Sequence, residues 1–267
     1  MTDPFQDVDA AGDTFVELIV TGLENRAAED QMILVIEAYL DDIKWPEDGL
    51  HVEVGAGTGA VTRRMAARAG NGKAIGIDPS PGLISKAVEL ARDQHNCHFE
   101  VGDGAQLRFK ANSVDSIVMH TVLSHVPEPL TLLEEAMRVL KPGGFLVVCD
   151  ADFEKTTLGN YRGDPLNACA ECFVENFVTQ PYLTAQIRGL AETTGFEVQH
   201  FRVVSRVITN GDGGLLWVAM SGNLMVERGL LGRALADAMV DEYKHRRDSG
   251  TLYASQPFST TIGRKPS

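Results

Sequence analysis

The sequence predicts an α/β fold, a doubly wound parallel sheet with helices on both faces. Three observations carry this reading. Short apolar runs alternate with longer stretches of helical period from Leu50 to Cys149. The first run, Leu50 to Val54, leads into a loop with glycines at 55, 57 and 59 ahead of a helix. The second run ends in an acid, Asp78, about 20 residues beyond that loop, as expected where a nucleoside sugar is held.

Element by element, Met32, Val35, Ile36 and Tyr39 recur at helical spacing, so Asn25 to about Asp41 is expected to be a helix. Pro46 to Gly49 punctuates, and Leu50–Val54 follows as a buried strand. A helix is expected from Ala60 to Ala69, and a short strand from Lys73 to Asp78. Ser80 and Pro81 mark the start of a helix running to about Gln94. Cys97–Val101 and Val114–His120 read as strands, with Gly102-Asp103-Gly104 behind the first. Pro129 to Leu140 is helical until Lys141-Pro142-Gly143-Gly144 stops it, and Phe145–Cys149 is a fifth strand. Asp150 to Gln180 has no clean period and is expected to be a loop and helix over the site. Then come a helix at Tyr182–Thr194, a strand near Glu197–Val207 and a break at Asn210–Gly214. A helical region at Leu215–Arg247, in two pieces, precedes a returning strand at Phe258–Gly263. Ligands of such sheets gather at the C-terminal strand ends, which directs attention to the loops after Val54, Ile77, Val101, Met119 and Val148.

The chain has 267 residues, enough for one domain with insertions and a sizeable core. Its formal net charge of −13, with no dense run of Lys or Arg, argues against a nucleic-acid partner. The acidic N-terminus lacks the pattern of a secretion signal, and no apolar run approaches a membrane span. Four scattered cysteines fit a reducing compartment, so a cytoplasmic protein is expected. Cys169 and Cys172 form a C-x-x-C without a second pair, and buried thiols are expected there rather than a metal site.

Glycines after a buried strand let the backbone turn sharply and approach a ligand closely, and free N–H groups at the helix start favour electron-rich ligand groups. Both a dinucleotide and S-adenosylmethionine (SAM) use such a loop. Glu53 distinguishes them, because a carboxylate two residues before Gly55 would repel a pyrophosphate but pair with the ammonium of SAM. Asp78 is then placed to accept the ribose hydroxyls, with capping of the next helix as its plain alternative. Asp103, between Gly102 and Gly104, is placed to reach an adenine amino group, against the alternative of a simple Asp-Gly turn.

Several blocks together resemble the class I SAM-dependent methyltransferases. They are Glu53 to Gly59; Ile77 to Ser80; Gly102 to Ala105; Val122-Leu-Ser-His-Val-Pro-Glu-Pro129; and Leu140-Lys-Pro-Gly-Gly-Phe145. The likeness is to the branch of ubiquinone and menaquinone biosynthesis methyltransferases and many natural-product enzymes, and it covers about residues 48–150. Phe5 and the closing Phe258…Arg264-Lys-Pro266 share it more weakly. The resemblance implies a Rossmann-like seven-stranded sheet, mostly parallel with an antiparallel last strand, and helical cap elements. It also implies SAM bound across the first strand ends by Glu53, Gly55, Ala56, Gly57, Thr58, Gly59, Asp78, Pro79, Gly102, Asp103, Gly104, Ala105, His120 and Thr121. One domain is expected overall: residues 1–47 as a cap or lid, 48–150 as the SAM-binding core, and 151–267 as the rest of the sheet with cap insertions.

Methyl transfer chiefly needs alignment and exclusion of water, with a base only where the acceptor must lose a proton. His120, closing the fourth strand, is the first candidate base, with packing beside the cofactor as its alternative. His125, at a position where this branch commonly has a histidine, is the second. Asp150 and Asp152 are weaker candidates for orienting the acceptor. The cap is expected from Phe5–Leu18, Phe153–Tyr182 and Leu215–Met225, with Phe173, Phe177, Tyr182, Trp217 and Met220 offering apolar surface. The expected activity is methyl transfer to O, N or activated C of a small, apolar or aromatic molecule by a monomer or homodimer. A nicotinamide-dependent oxidoreductase and a non-catalytic SAM-binding subunit are the competing readings.

Overall fold

Successive residues of a strand face opposite sides of its sheet, and the core divides accordingly. On strand β4 (Val114–His120), Val118 packs with Val147 and Cys149 on one face, while Ile117 and Met119 join Leu146 and Val148 on the other. Both faces are therefore apolar and covered, the condition for a parallel sheet. The computed structural model describes residues 3–267 and arranges seven strands in the order β3-β2-β1-β4-β5-β7-β6. These are β1 (Leu50–Val54), β2 (Lys73–Asp78), β3 (Cys97–Val101), β4, β5 (Leu140–Ala151), β6 (Glu197–Ile208) and β7 (Ala254–Arg264). Strand β7 runs antiparallel to both neighbours, β5 and β6, as the resemblance implied.

One face is covered by α2 (Asp30–Asp41), α3 (Ala60–Arg68) and α6 (Pro165–Phe177). The other is covered by α5 (Pro129–Val139) and α7 (Leu183–Thr193). Helix α4 (Pro81–Leu90) is capped by Ser80, whose Oγ accepts the Leu83 N–H at 3.0 Å. Helices α8 (Leu215–Glu227) and α9 (Arg233–Asp248) pack with α6 around Leu166, Val218 and Tyr243 beyond the sheet edge.

The differences from expectation have local causes. The helix expected over 25–41 is two helices, α1 (Asp13–Ala27) and α2, because Glu29 adopts an extended backbone and its carboxylate pairs with Arg206 on β6. Helix α1 buries Val16 and Ile19 against Val8 and Leu83. Helix α4 stops at Leu90, short of Gln94. Lys141 to Gly144 does end α5, yet these residues continue into β5 through an irregularity opposite Asp115, whose carboxylate Lys141 grips at 2.8 Å. Strand β7 starts at Ala254 rather than Phe258 because β6 pairs with it as far as Ile208. Among the described residues, no helix is long and apolar enough to cross a membrane.

Candidate active site at the strand ends

The glycine loop takes the expected shape for partly different reasons. Gly55, Gly57 and Gly59 all have positive φ, at 70°, 54° and 77°. A Cβ at Gly55 would strike Val122, and one at Gly59 would strike the ring of Phe99. Gly59 caps α3 from the left-handed region and does not line the cavity. Its glycine is required by packing against β3. Four amides of the loop are engaged within the protein. The amides of Gly55 and Ala56 both donate to the Ile77 carbonyl, at 2.7 and 3.0 Å. That of Gly57 donates to Asp78 Oδ2 at 2.8 Å, and that of Gly59 to the Ala56 carbonyl at 2.8 Å. These four are committed, while Thr58 and the helix-start residues Ala60 and Val61 also line the cavity.

The three acids expected to hold the cofactor line the same cavity. Glu53 is 2% exposed, and Thr62 Oγ1 donates to its Oε2. Burial pushes its carboxyl up to about 8, so it is largely protonated at neutral pH until a cation arrives. Asp78 accepts the Gly57 N–H and, through Oδ1, the Ser80 N–H at 3.0 Å. Burial raises its pKa, and these two hydrogen bonds oppose the rise. Asp78 therefore braces the glycine loop, while capping of α4 falls to Ser80. A carboxylate retains further lone pairs for ribose hydroxyls. Asp103 folds back on the Ala105 N–H at 2.8 Å, the turn geometry weighed above, while lining the cavity beside Gly104. Ala56, Thr58 and Pro79 line it too; Gly102 and Ala105 lie outside it.

At the end of β4 the candidate bases differ. His120 is buried, shares a 3.1 Å hydrogen bond between Nδ1 and the Tyr39 hydroxyl, and stacks near Phe258. Burial, reinforced by the Arg26 charge, pushes its pKa down to about 3, so it is a neutral group with little basicity. Thr121 adopts φ 56°, an outlier for a β-branched residue. Its N–H donates to the Cys149 carbonyl at 2.7 Å and its hydroxyl to the His120 carbonyl at 2.7 Å. Strain of this kind accumulates at binding sites. His125 lines the cavity with Nδ1 2.9 Å from Asp3 Oδ2. A carboxylate can only accept, so Nδ1 carries the proton and Nε2 is left as the free lone pair. Asp3 is itself fixed by the N–H and hydroxyl of Thr179, at 3.1 and 2.9 Å.

The cavity of about 1410 Å³ continues under the cap. Its far wall is aromatic: Trp217 stacks on Phe173 with rings 4.3 Å apart and 1° from parallel, and on Phe153 at 5.6 Å. Of the expected apolar residues, Phe173 and Trp217 line it; Phe177 is core, Met220 packs against the core and Tyr182 is exposed. Asp150 and Asp152 are not placed to orient an acceptor. The first is consumed by Ser124 and the Ala151 N–H, and the second pairs with Lys155 at 2.6 Å. Sequence reasoning missed Arg26 and Glu29 from the α1–α2 segment and Arg206 and Gln256 from the outer strands, all lining the cavity. The period of Phe15, Val16, Ile19, Val20 and Leu23 marks α1 and was a usable signal for that segment. Cys169 and Cys172 sit in α6 against Met239 and the Ser221 carbonyl, and burial pushes the Cys169 thiol up to about 12.

These residues fit SAM better than a dinucleotide. Glu53, lining the cavity, would meet an ammonium but repel a phosphate, and Asp78 would meet a diol. Residues 52–148 match the family model described as a methyltransferase domain. A demethylmenaquinone methyltransferase of Tropheryma whipplei is 36% identical over 47% of this chain and 56% of its own length. The chain spans 39%, 49% and 46% of the length of the first three curated relatives it matches, about half or less. Among solved structures, a Haemonchus contortus phosphoethanolamine N-methyltransferase, in complex with S-adenosylhomocysteine, shares the fold with TM-score 0.60 at 18% identity. That match covers 99% of this chain and 60% of the other. The cyclase SpnF shares it with TM-score 0.63 at 19% identity over 99% and 96% of the two chains. From its sheet order, its sequence blocks and these likenesses, the chain carries a methyltransferase domain at residues 52–148 within a class I, Rossmann-like methyltransferase fold.

Proposed function

We propose that the protein is a SAM-dependent methyltransferase acting on O, N or activated C of a small apolar or aromatic molecule. The observation that carries this reading is one continuous cavity. It joins Glu53, the glycine loop and Asp78 to a wall of stacked aromatic rings. Glu53, Gly55, Ala56, Gly57, Thr58, Asp78, Pro79, Asp103, Gly104 and Thr121 would hold SAM, with Gly59, Gly102 and Ala105 shaping the backbone around them. Bound SAM would supply an activated methyl group on a sulfonium. The protein's own work is then alignment and the exclusion of water. Residues 3–41 and the segments after β5 and β6 form the cap that does so, with residues 48–150 as the cofactor core.

Of the two histidines, we assign proton removal from the acceptor to His125, whose Nε2 is left free by the Asp3 hydrogen bond. His120, held neutral and tied to Tyr39, acts as a packing and hydrogen-bonding group beside the reacting atoms. All four thiols are unpaired, which supports a reducing compartment such as the cytoplasm.

Calorimetric titration with S-adenosylhomocysteine, with NADH and NADPH as controls, tests the cofactor. Micromolar binding of the first alone is expected, followed by labelled methyl transfer to an aromatic acceptor panel. Binding of a nicotinamide nucleotide instead would overturn the reading. The shared fold of a cyclase favours one second reading, a SAM-binding protein that does not transfer methyl groups, because the fold alone does not dictate the reaction. S-adenosylhomocysteine binding without turnover across the panel would favour it.

A further inference from the structure

Two histidines on neighbouring strands each make one ring hydrogen bond, and only one of them faces the cavity. His51 on β1 shares its Nδ1 with Ser116 Oγ at 2.7 Å, and its Nε2 is enclosed without a partner. His120 on β4 shares its Nδ1 with the Tyr39 hydroxyl at 3.1 Å. Its Nε2 has no hydrogen-bond partner among the described residues and is not enclosed, and the residue lines the cavity. That nitrogen is open to whatever the cavity holds.

Tyr39 decides what Nε2 offers. The side chain is 0% exposed, and His120 is the one partner of its hydroxyl among the described residues. Buried donors are left unmet more rarely than oxygen lone pairs, and burial keeps this phenol protonated. The hydroxyl therefore donates and Nδ1 accepts. Burial and the Arg26 charge hold the ring neutral. A neutral imidazole with its lone pair on Nδ1 carries its proton on Nε2. His120 thus turns an N–H donor towards the cavity, the reverse of His125 with its free lone pair.

The sheet register brings this donor beside Glu53. Strands β1 and β4 run parallel with Glu53 opposite Val118, and residues two apart on a strand share a face. His120 therefore stands diagonally across from Glu53 on the same face, and both line the cavity. A carboxyl that can take an ammonium and a donor that can take an oxygen lie side by side, the complement of an α-amino acid. The next residue, Thr121, accepts a hydrogen bond from Arg26 Nη2 at 2.9 Å, so a guanidinium adjoins the same strand end. An anionic oxygen is favoured there over a neutral one.

We propose that Tyr39 is a positioning residue that fixes His120 as an Nε2–H donor, and that this donor receives the carboxylate of SAM's amino-acid arm while Glu53 takes its ammonium. The inference deepens the SAM reading and rests on it for the ligand; the tautomer is read in the ligand-free protein.

Ring ¹⁵N NMR of the histidine-labelled protein at neutral pH tests it, with the His120 signals assigned by their loss in His120→Gln. The wild type is expected to show a protonated Nε2 and a bare Nδ1. Tyr39→Phe should populate both tautomers and weaken S-adenosylhomocysteine roughly twofold, with thermal melting confirming that it folds. In the wild type, S-adenosylhomocysteine should move the Nε2 signal. Its decarboxylated analogue, which keeps the ammonium, should leave that signal in place. His120→Leu should weaken S-adenosylhomocysteine roughly tenfold and spare the analogue, and His120→Gln, whose amide can donate, should recover part of the loss. A protonated Nδ1 in the wild type, or an unchanged tautomer in Tyr39→Phe, would overturn the positioning role. An Nε2 signal that ignores bound S-adenosylhomocysteine, or follows both ligands alike, would overturn the carboxylate assignment. Failure of the SAM reading would register separately, as a wild type that binds neither ligand.

Discussion

The two ends of the cavity are built by opposite strategies. At the cofactor end, consecutive residues of one strand, loop and helix do the work: Glu53, the glycines and Thr62 lie within ten positions of one another, and Asp78 joins them through the Gly57 N–H. At the cap end, His125, Phe173, Arg206 and Trp217 come from distant segments and meet only in the folded chain, with Asp3 held against His125. The first end is a backbone geometry and tolerates few sequences. The second is a meeting of side chains set by tertiary packing rather than by one stretch of backbone. That contrast teaches where specificity for the acceptor has to be sought.

The largest effect is expected at Gly59, where the backbone rule is strictest. Gly59→Ala places a Cβ into Phe99 at a φ of 77°, and should cost about 2–4 kcal/mol of stability by overpacking and left-handed strain. Urea denaturation measures it, and an unchanged midpoint would remove packing as the reason for this glycine. Next comes Asp78→Ala, which takes away the loop brace and the expected ribose acceptor together. S-adenosylhomocysteine affinity should fall by about 1–3 kcal/mol. Asp78→Asn, still able to accept one backbone N–H, should fall less, and equal losses in the two variants would show that charge alone matters.

The same contrast explains what could be read from the sequence. Strands β1 to β4 were legible to the residue because each is an apolar run closed by glycine, acid or histidine at a spacing the nucleotide-binding architecture requires. Even there the sequence suggested the wrong reason for Gly59, since the ring of Phe99 that excludes a side chain lies on another strand. Arg26 was not legible. It follows the apolar stripe of α1 as one polar residue among several, and nothing local distinguishes it from Arg63, which pairs with Glu24 at 2.7 Å. His125 was visible as a candidate, but its tautomer was not, because that is set by Asp3 from the far end of the chain.

The link between Asp3 and His125 gives a smaller, diagnostic effect. Asp3→Asn keeps the size of the side chain but substitutes an amide that can present either donor or acceptor to Nδ1, so the tautomer with a free Nε2 is no longer enforced. Turnover should drop roughly tenfold. Affinity for S-adenosylhomocysteine should hold, since Asp3 lies at the cap end. A fall in affinity together with turnover would instead make Asp3 a brace for the cap as a whole.

The smallest expected effect sharpens the comparison most, because it reads the cofactor end by pH alone. Glu53 has an ordinary carboxyl pKa near 4.5 when unfolded and about 8 when buried in the ligand-free fold. The folded state therefore holds the proton more tightly, and this group's contribution to stability is full below about pH 4.5 and lost as pH rises through about 8. Binding of an ammonium draws the opposite response, since only the ionised carboxylate can pair with it. Only about a tenth of Glu53 is ionised at pH 7 and half at pH 8, so S-adenosylhomocysteine affinity should improve about fivefold over that unit. Glu53→Gln should flatten the dependence. Binding of 5′-methylthioadenosine, with no ammonium, should be level in both proteins. A pH dependence shared by the two ligands would locate the titrating group elsewhere in the cavity, and Glu53 would then be read as a structural partner of Thr62.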